Sequence, residues 1–352
     1  MKKLFMRLNI LPLSALILMA PFLMGADYLG GKQIEKSKSI MGTMMNITIF
    51  ESTLTRENAS RIIDGAFEMA ISLEGKGSDT DENSIVSRVR RAKAGEVIAL
   101  DDDTLNILKQ AVRISLLSEG AYDVTAGPLK KMWLQAKDEG EPPSKEAIKS
   151  ALSIVGYQNI QFDELDKKLT IKKEGVSLYL ADIVQAYAVD RVADYLKDNG
   201  VTSALISFAG NSRYLGNSRE GYGWRVGIEH PRKIDEYAAI LEVGEPRAFS
   251  VTSDYDDFFM YKNKRYSVFC NPKTGTPEDN HVSSVTIIAE KALLANVISQ
   301  AVFVLGAEKG YELVDKLKED GVEAICIEEN PKDRFVLSGS EGAQPLIKEV
   351  AL

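Results

Sequence analysis

The most apolar run of the chain after its N-terminal leader, residues 291–306, is interrupted by three polar side chains, Asn296, Ser299 and Gln300. Positions i, i+3 and i+4 share one face of a helix, so all three point the same way from an otherwise greasy rod. A helix that is apolar nearly all round is buried, and its polar groups need partners inside the protein. Those partners are either neighbouring backbone groups or a bound ligand or metal.

Elsewhere the pattern switches between the two periodicities. Residues 45–50 alternate like a strand. Residues 55–73 carry Ile62, Ile63, Ala66, Phe67 and Ala70 on one helical face, and the Gly/Ser/Asp-rich segment 75–83 ends it. Residues 84–91 predict a short helix, 97–100 a short strand, and 101–103 an acidic cap on an amphipathic helix through Leu105, Leu108, Val112 and Leu116. Residues 121–129 hold too much Gly and Pro for a regular element and read as a connector or an active-site loop. A polar linker at 138–144 precedes a short helix at 145–155, a hairpin of 160–163 with 169–172, and a strand at 176–180. Residues 183–199 predict a helix stopped by Gly200. Strands follow at 204–208, 224–229, 239–243, 265–270 and 282–289, with a polar turn at 271–277 between the last two. After the apolar helix come a helix at 308–319 and strands at 324–328 and 335–338. Helices and strands do not alternate strictly, so the pattern indicates the α+β class.

Composition alters this picture little. The 352 residues, 45% hydrophobic and 27% charged, are enough for one large or two smaller globular domains. Residues 1–26 read as a secretory signal, with Lys2, Lys3 and Arg7 ahead of an apolar stretch and Gly25 and Ala26 at the cut, leaving 27–352 as the mature domain. Pro12, Pro21 and the short apolar length argue against a retained anchor, so no stable membrane span is expected after signal removal, and the expected location is the periplasm. The formal charge of −8 grows more negative without the basic leader and disfavours nucleic acid as a partner. Cys270 and Cys326 are the only cysteines; two buried thiols are expected, with a single bridge as the alternative. His230 and His281 are the only histidines, read as surface or turn residues, which leaves no multi-His metal site and no Ser-His-Asp triad.

Chemistry enters through the order of several short motifs. Met41-Gly42-Thr43, the 121–129 segment followed by Trp133, the run from Gln185 to Asp190, residues 223–232, 250–259 and 264–277, and the helix ending at Gly306 occur in that order. In wording and spacing they resemble the FAD:protein FMN transferases, the ApbE family, over about residues 39–339. The resemblance implies a T-fold-like α+β architecture of mixed sheets with packed helices. It implies FAD as ligand, magnesium at the diphosphate, and FMN moved onto a threonine or serine hydroxyl of a target protein, with an exported redox protein as the candidate partner. Such phosphoryl transfer needs a hard cation on the diphosphate and a base for the hydroxyl.

The resemblance also assigns positions. Met41, Thr43, Tyr122, Asp123, Thr125, Gly210, Thr274 and Gly275 become flavin-binding candidates, with Phe208 and Tyr255 as further aromatic candidates. The family's metal-ligand positions fall on Asn296, Gln300 and Val184, none of them charged, whereas Mg²⁺ is usually held through a carboxylate. The family's glycine pair and lysine are here Ala181, Asp182 and Gln185, with Tyr179 at an aspartate position. The Asn-Ile-Gly-Gly-acid run becomes Ser207 to Asn211, and a histidine and an aspartate become Val268 and Asn271. Asp182, Asp254 and Asp123 are left to supply charge from new positions, the first two as catalytic candidates. The favoured reading is a flavin-binding or interaction scaffold that has lost magnesium-dependent transfer, because several parts of one mechanism change together. An active transferase and a non-enzymatic assembly factor of an exported redox complex are the alternatives.

Overall fold

The computed structural model describes residues 33–50, 53–218, 223–244, 247–330, 332 and 334–352; the leader read at 1–26 lies outside them. In chain order the first half contains β1 (Ile34–Ile40), β2 (Thr43–Ile49), α1 (Arg56–Ser72), α2 (Ile85–Arg91), β3 (Val97–Ala99), α3 (Asp102–Leu117), α4 (Gly127–Glu139), α5 (Lys145–Leu152), β4 (Ile160–Asp163) and β5 (Lys168–Ile171). Then come α6 (Ala181–Asp198), β6 (Ala204–Phe208), β7 (Asn211–Leu215), β8 (Trp224–Glu229), β9 (Tyr237–Val243), β10 (Ala248–Ser253), β11 (Phe258–Tyr261) and β12 (Lys264–Ser267). The last elements are β13 (Val282–Ala289), α7 (Ala292–Leu305), α8 (Ala307–Asp315), β14 (Glu323–Asn330), β15 (Arg334–Gly339) and β16 (Ile347–Val350). The α+β class expected from the pattern is what the chain forms.

An antiparallel sheet in the order β1-β2-β6-β7-β10-β13-β14-β15 is the spine. Both of its faces are covered. In β6, Ala204, Ile206 and Phe208 join the core under α1, α3, α6 and α7, while Leu205 belongs to a second core shared with β8 and β9. Alternation of side chains across a strand lets one strand serve two cores. In the second core Tyr214 lies edge-on to Trp224 at 5.0 Å and to Phe249 at 5.4 Å.

Two tight hairpins have consecutive left-handed residues, Met41 (φ 47°) with Gly42 (φ 79°) and Ala209 (φ 51°) with Gly210 (φ 73°). Such a two-residue turn matches the right-handed twist of its strands.

The segment 121–129 is only partly a connector. Gly127 and Pro128 open α4, where proline is tolerated because its missing N–H would have had no helical partner. Glycine is required at 127: a Cβ there would lie 2.7 Å from the Ser177 carbonyl oxygen. The strand expected at 176–180 is instead an extended segment with a single parallel bridge, Ser177 to Ala126, so no ladder forms. Beyond it α4 packs Trp133 and Ala136 against Phe259 and Val268, and Trp133 Nε1 donates to the Gly275 carbonyl at 2.8 Å. Among the described residues no helix is long and apolar enough to cross a membrane.

Candidate functional site

The polar face of α7 meets a polar strip of the central sheet. Asn296 Nδ2 donates to Asn211 Oδ1 at 3.1 Å, and the Ser250 hydroxyl donates to the same oxygen at 2.8 Å. Gln300 Nε2 donates to Asn296 Oδ1 at 2.9 Å, and Ser299 Oγ donates to the Asn296 carbonyl at 2.9 Å while pairing with Thr252 Oγ1 at 2.8 Å. Asn211 Nδ2 in turn donates to the Ala209 carbonyl at 2.9 Å. The pattern called for neighbouring backbone groups or a ligand; instead side chains, most of them on other elements, meet this face, and a single backbone carbonyl, that of Asn296, takes part.

This network is neutral and the side-chain oxygens of Asn211 and Asn296 are engaged in it, which bears on the fit of a magnesium ion. Mg²⁺ takes near-octahedral oxygen ligation, usually through one or two carboxylates, and no carboxylate belongs to the network. Val184, at the third assigned metal position, is 1% exposed in the apolar core and offers no side-chain oxygen. Among the described residues no three His, Cys, Asp or Glu side chains gather in a way that could hold a metal. The residues present at these positions do not fit magnesium.

Gln300 also lines a cavity of about 50 Å³, whose wall includes Tyr122, Asp123, Lys130, Tyr179 and Phe269. Lys130 lies on the same face of α4 as Trp133 and is buried. Its Nζ sits 3.8 Å from the centre of the Phe269 ring and 5.4 Å from that of Tyr179, with Asp182 Oδ2 at 3.4 Å. Among the described residues it has no hydrogen-bond partner, and neither has the buried hydroxyl of Tyr122. Burial, reinforced by the charges of Asp182 and Asp123, pushes that hydroxyl well above the usual tyrosine range. Tyr179 donates to Asp182 Oδ1 at 3.0 Å, and Cys270 on the same wall is pushed up to about 12 by burial.

Other candidate positions serve the framework. Asp123 Oδ1 accepts from the Thr125 backbone N–H (2.8 Å) and hydroxyl (2.6 Å), and its Oδ2 accepts from the Tyr157 N–H at 2.8 Å. The Thr125 hydroxyl accepts from the Gly156 N–H at 2.8 Å, so the two residues knot the 121–126 loop to the segment before β4. Thr274 and Gly275 were candidates for presenting N–H groups to a phosphate, yet both N–H groups donate to the Asn271 carbonyl, at 3.2 and 2.7 Å. Phe208 is wholly buried and has no face free for a flavin ring. Met41 and Thr43 sit at the β1–β2 turn, where the Met41 carbonyl accepts from Gln185 Nε2 at 3.3 Å. Asp254 is held by both guanidinium nitrogens of Arg232 at 2.7 Å, with Glu329 on the same arginine. His230, expected at the surface or in a turn, stands just before a turn but is buried, its ring edge-on to Phe335 and its Nδ1 accepting from the Arg232 N–H. Both cysteines are free.

The structure thus brings Tyr122, Asp123 and Gln300 to one cavity, with Asp182 beside it through Lys130 and Asn296 behind it through Gln300. It leaves Asp254 in a separate ion cluster. Lys130 and Asn211 are the residues that motif reading left out of the candidate set. A lysine three positions before a buried tryptophan on an amphipathic helix was the signal for the first.

Comparison with known proteins agrees with this architecture. The model of the ApbE family matches residues 41–326. The chain belongs to the ApbE family. The FAD:protein FMN transferase of Vibrio cholerae is 29% identical over 297 residues, covering 81% of this chain and 85% of its own. That of Haemophilus influenzae is 28% identical, covering 81% and 84%. Among solved structures, the ApbE protein of Thermotoga maritima aligns with a TM-score of 0.77 at 27% identity, over 90% of this chain and all of its own. The apo flavinyl transferase ApbE of Pseudomonas stutzeri aligns at 0.76 and 27%, over 91% and 98%. The chain therefore shares the ApbE fold.

Proposed function

We propose that this chain is an exported ApbE-family protein that binds a flavin nucleotide without carrying out magnesium-dependent FMN transfer, and that it serves an extracytoplasmic redox system. The observation that supports the loss of transfer is the neutral network in which Asn296 and Gln300, at two of the positions where the resemblance puts metal ligands, are joined to Asn211. Family membership supports the flavin, and the leader-like N-terminus supports export. Transfer would require a protein hydroxyl oxygen to attack the FMN-side phosphorus of FAD as the P–O–P bond breaks and AMP leaves. The negative charge developing on the phosphates needs a preorganised cation, and removing one such stabilising group typically slows a reaction by about 10²–10³.

The test is incubation of the full chain with FAD, with and without Mg²⁺, followed by chromatography for FMN and AMP and a visible spectrum of the protein. Bound FAD with no AMP in either condition is the expected result. Magnesium-dependent AMP release would overturn the loss of activity.

The names of the curated relatives favour a second reading, an active FAD:protein FMN transferase. In that case Asp182, beside the cavity through Lys130, supplies the missing charge, since Asp254 lies in the separate ion cluster of Arg232. The readings separate cleanly. If transfer is lost, Asn296→Asp combined with Asn211→Asp creates AMP release that the wild type lacks; if transfer is active, the wild type releases AMP and Asp182→Asn stops it. A colourless protein that co-purifies with an exported redox protein would instead indicate an assembly factor.

A further inference from the structure

We propose that Lys130 is the cation of this site and takes the phosphate end of a flavin nucleotide in the absence of a divalent metal. The inference rests on the flavin-binding reading and adds to it the group recognised and the residue that recognises it.

Lys130 carries three N–H donors, is 8% exposed, and spends none of them on a hydrogen bond among the described residues. The ring faces of Phe269 and Tyr179 attract its charge but accept no conventional hydrogen bond. Leaving buried donors unmet costs free energy, so the place calls for an acceptor. Tyr122, 7% exposed and with a hydroxyl that also has no partner among the described residues, lines the same cavity. A third contribution comes from α6, which starts at this wall: Tyr179 and Ile183 line the cavity, and the N-cap residue Leu180 offers no side-chain acceptor to the first turn. A helix N-terminus carries about half a positive charge and free N–H groups. A buried ammonium, an unpaired hydroxyl and an uncapped helix start therefore converge on one space.

The size of that space identifies the end of the ligand. About 50 Å³ accommodates a few water-sized groups, against the 10–15 Å³ that one water needs. It suits a phosphate and is far too small for a three-ring isoalloxazine, which would stay outside. The Asp182 carboxylate, in the first turn of α6 and 3.4 Å from Lys130, is the anion beside the ammonium, and Tyr179 steadies it. An incoming phosphate shares Lys130 with this carboxylate. Asp182 accordingly weakens binding here, the reverse of what a metal ligand would do.

Binding of FMN and of riboflavin to the full chain, followed by flavin fluorescence in EDTA and in Mg²⁺, tests the assignment. Wild type is expected to hold FMN at least about tenfold more tightly than riboflavin, the increment of a charge-assisted hydrogen bond, equally in both conditions. Lys130→Met should bring that ratio close to one, Lys130→Arg should keep most of it, and Asp182→Asn should raise it; matching melting curves establish that each variant is folded. A ratio that survives Lys130→Met, or that appears only with Mg²⁺, overturns the proposal. If neither flavin binds, the flavin-binding reading fails by itself, and pyrophosphate then decides on Lys130. A rise in melting temperature with pyrophosphate that Lys130→Met abolishes sustains the anion site; no rise refutes it.

Discussion

Replacing Asp190 by alanine removes the joint between α6, α7 and the central sheet. Asp190 Oδ1 accepts from the Ala292 N–H at 2.9 Å and Oδ2 from the Leu293 N–H at 3.0 Å, so a side chain of α6 caps α7. Its Oδ1 also lies 2.7 Å from Arg213 Nη1 on β7, with both side chains 5% exposed. In Asp190→Ala the two buried N–H groups lose their acceptor, and among the described residues Arg213 keeps only the Asp194 carboxylate, 3.8 Å away and 44% exposed. Breaking a buried ion pair from one side costs about 3–5 kcal/mol, and loss of a helix cap about 0.5–2 kcal/mol. The terms overlap, and about 4 kcal/mol is the expected loss. An unfolding entropy of about 2.1 cal/mol/K per residue over 352 residues is roughly 0.7 kcal/mol/K, so the melting temperature should fall by about 6 °C. Circular dichroism melts and urea titrations of the wild type, Asp190→Ala and Asp190→Asn measure it, the last losing less because an amide oxygen still accepts. Arg213→Met in the Asp190→Ala background should cost less than the sum of the two single changes, because the stranded charge is gone. A melting temperature for Asp190→Ala within 1 °C of wild type, on this roughly 0.7 kcal/mol/K scale, would refute the argument.

Three other outcomes follow from the packing. Burial, with Asp256 and Asp235 adding like charge, pushes the Glu229 carboxyl up to about 7. The folded state therefore holds this proton more tightly than the unfolded chain, so stability falls as pH rises from the ordinary glutamate range through about 7; Glu229→Gln should flatten that fall in melts at pH 5 and pH 8. Gly275 has φ 75°, and a Cβ there would lie 2.6 Å from Ile148 Cγ2, so Gly275→Ala should lose about 1–3 kcal/mol in urea titration. The thiols of Cys270 and Cys326 are both pushed up to about 12 by burial, so iodoacetamide at pH 8 should label them only after unfolding; rapid labelling of the native protein would contradict this.

The sequence determined by itself the elements whose periodicity is undiluted. The apolar run at 291–306 is α7, β13 has the expected limits, and Gly200 (φ 79°) follows α6 as its stop. Ordered motifs also settled the family, because turns such as that of Met41 and Gly42 leave local signatures in the chain. Strands β7 and β10 left no such signal. Asn211 and Arg213 in the first, and Ser250, Thr252 and Ser253 in the second, look like loop residues although all five are buried. They are tolerated because polar groups from elsewhere meet them: Asp190 reaches Arg213, and the polar face of α7 reaches Asn211, Ser250 and Thr252. Periodicity records which side chains avoid water, and it cannot tell a solvated serine from one paired inside.

The same limit governs the site. The sequence identified Asn296, Gln300 and Asp182 as unusual, yet their meaning depends on partners far along the chain. Tertiary structure alone placed Asn211 against Asn296 to close a neutral network, and it alone carried Lys130 into an aromatic wall beside Asp182. Charge compensation acts through space over a few ångströms, so the residues that decide this chemistry become neighbours only once the chain has folded.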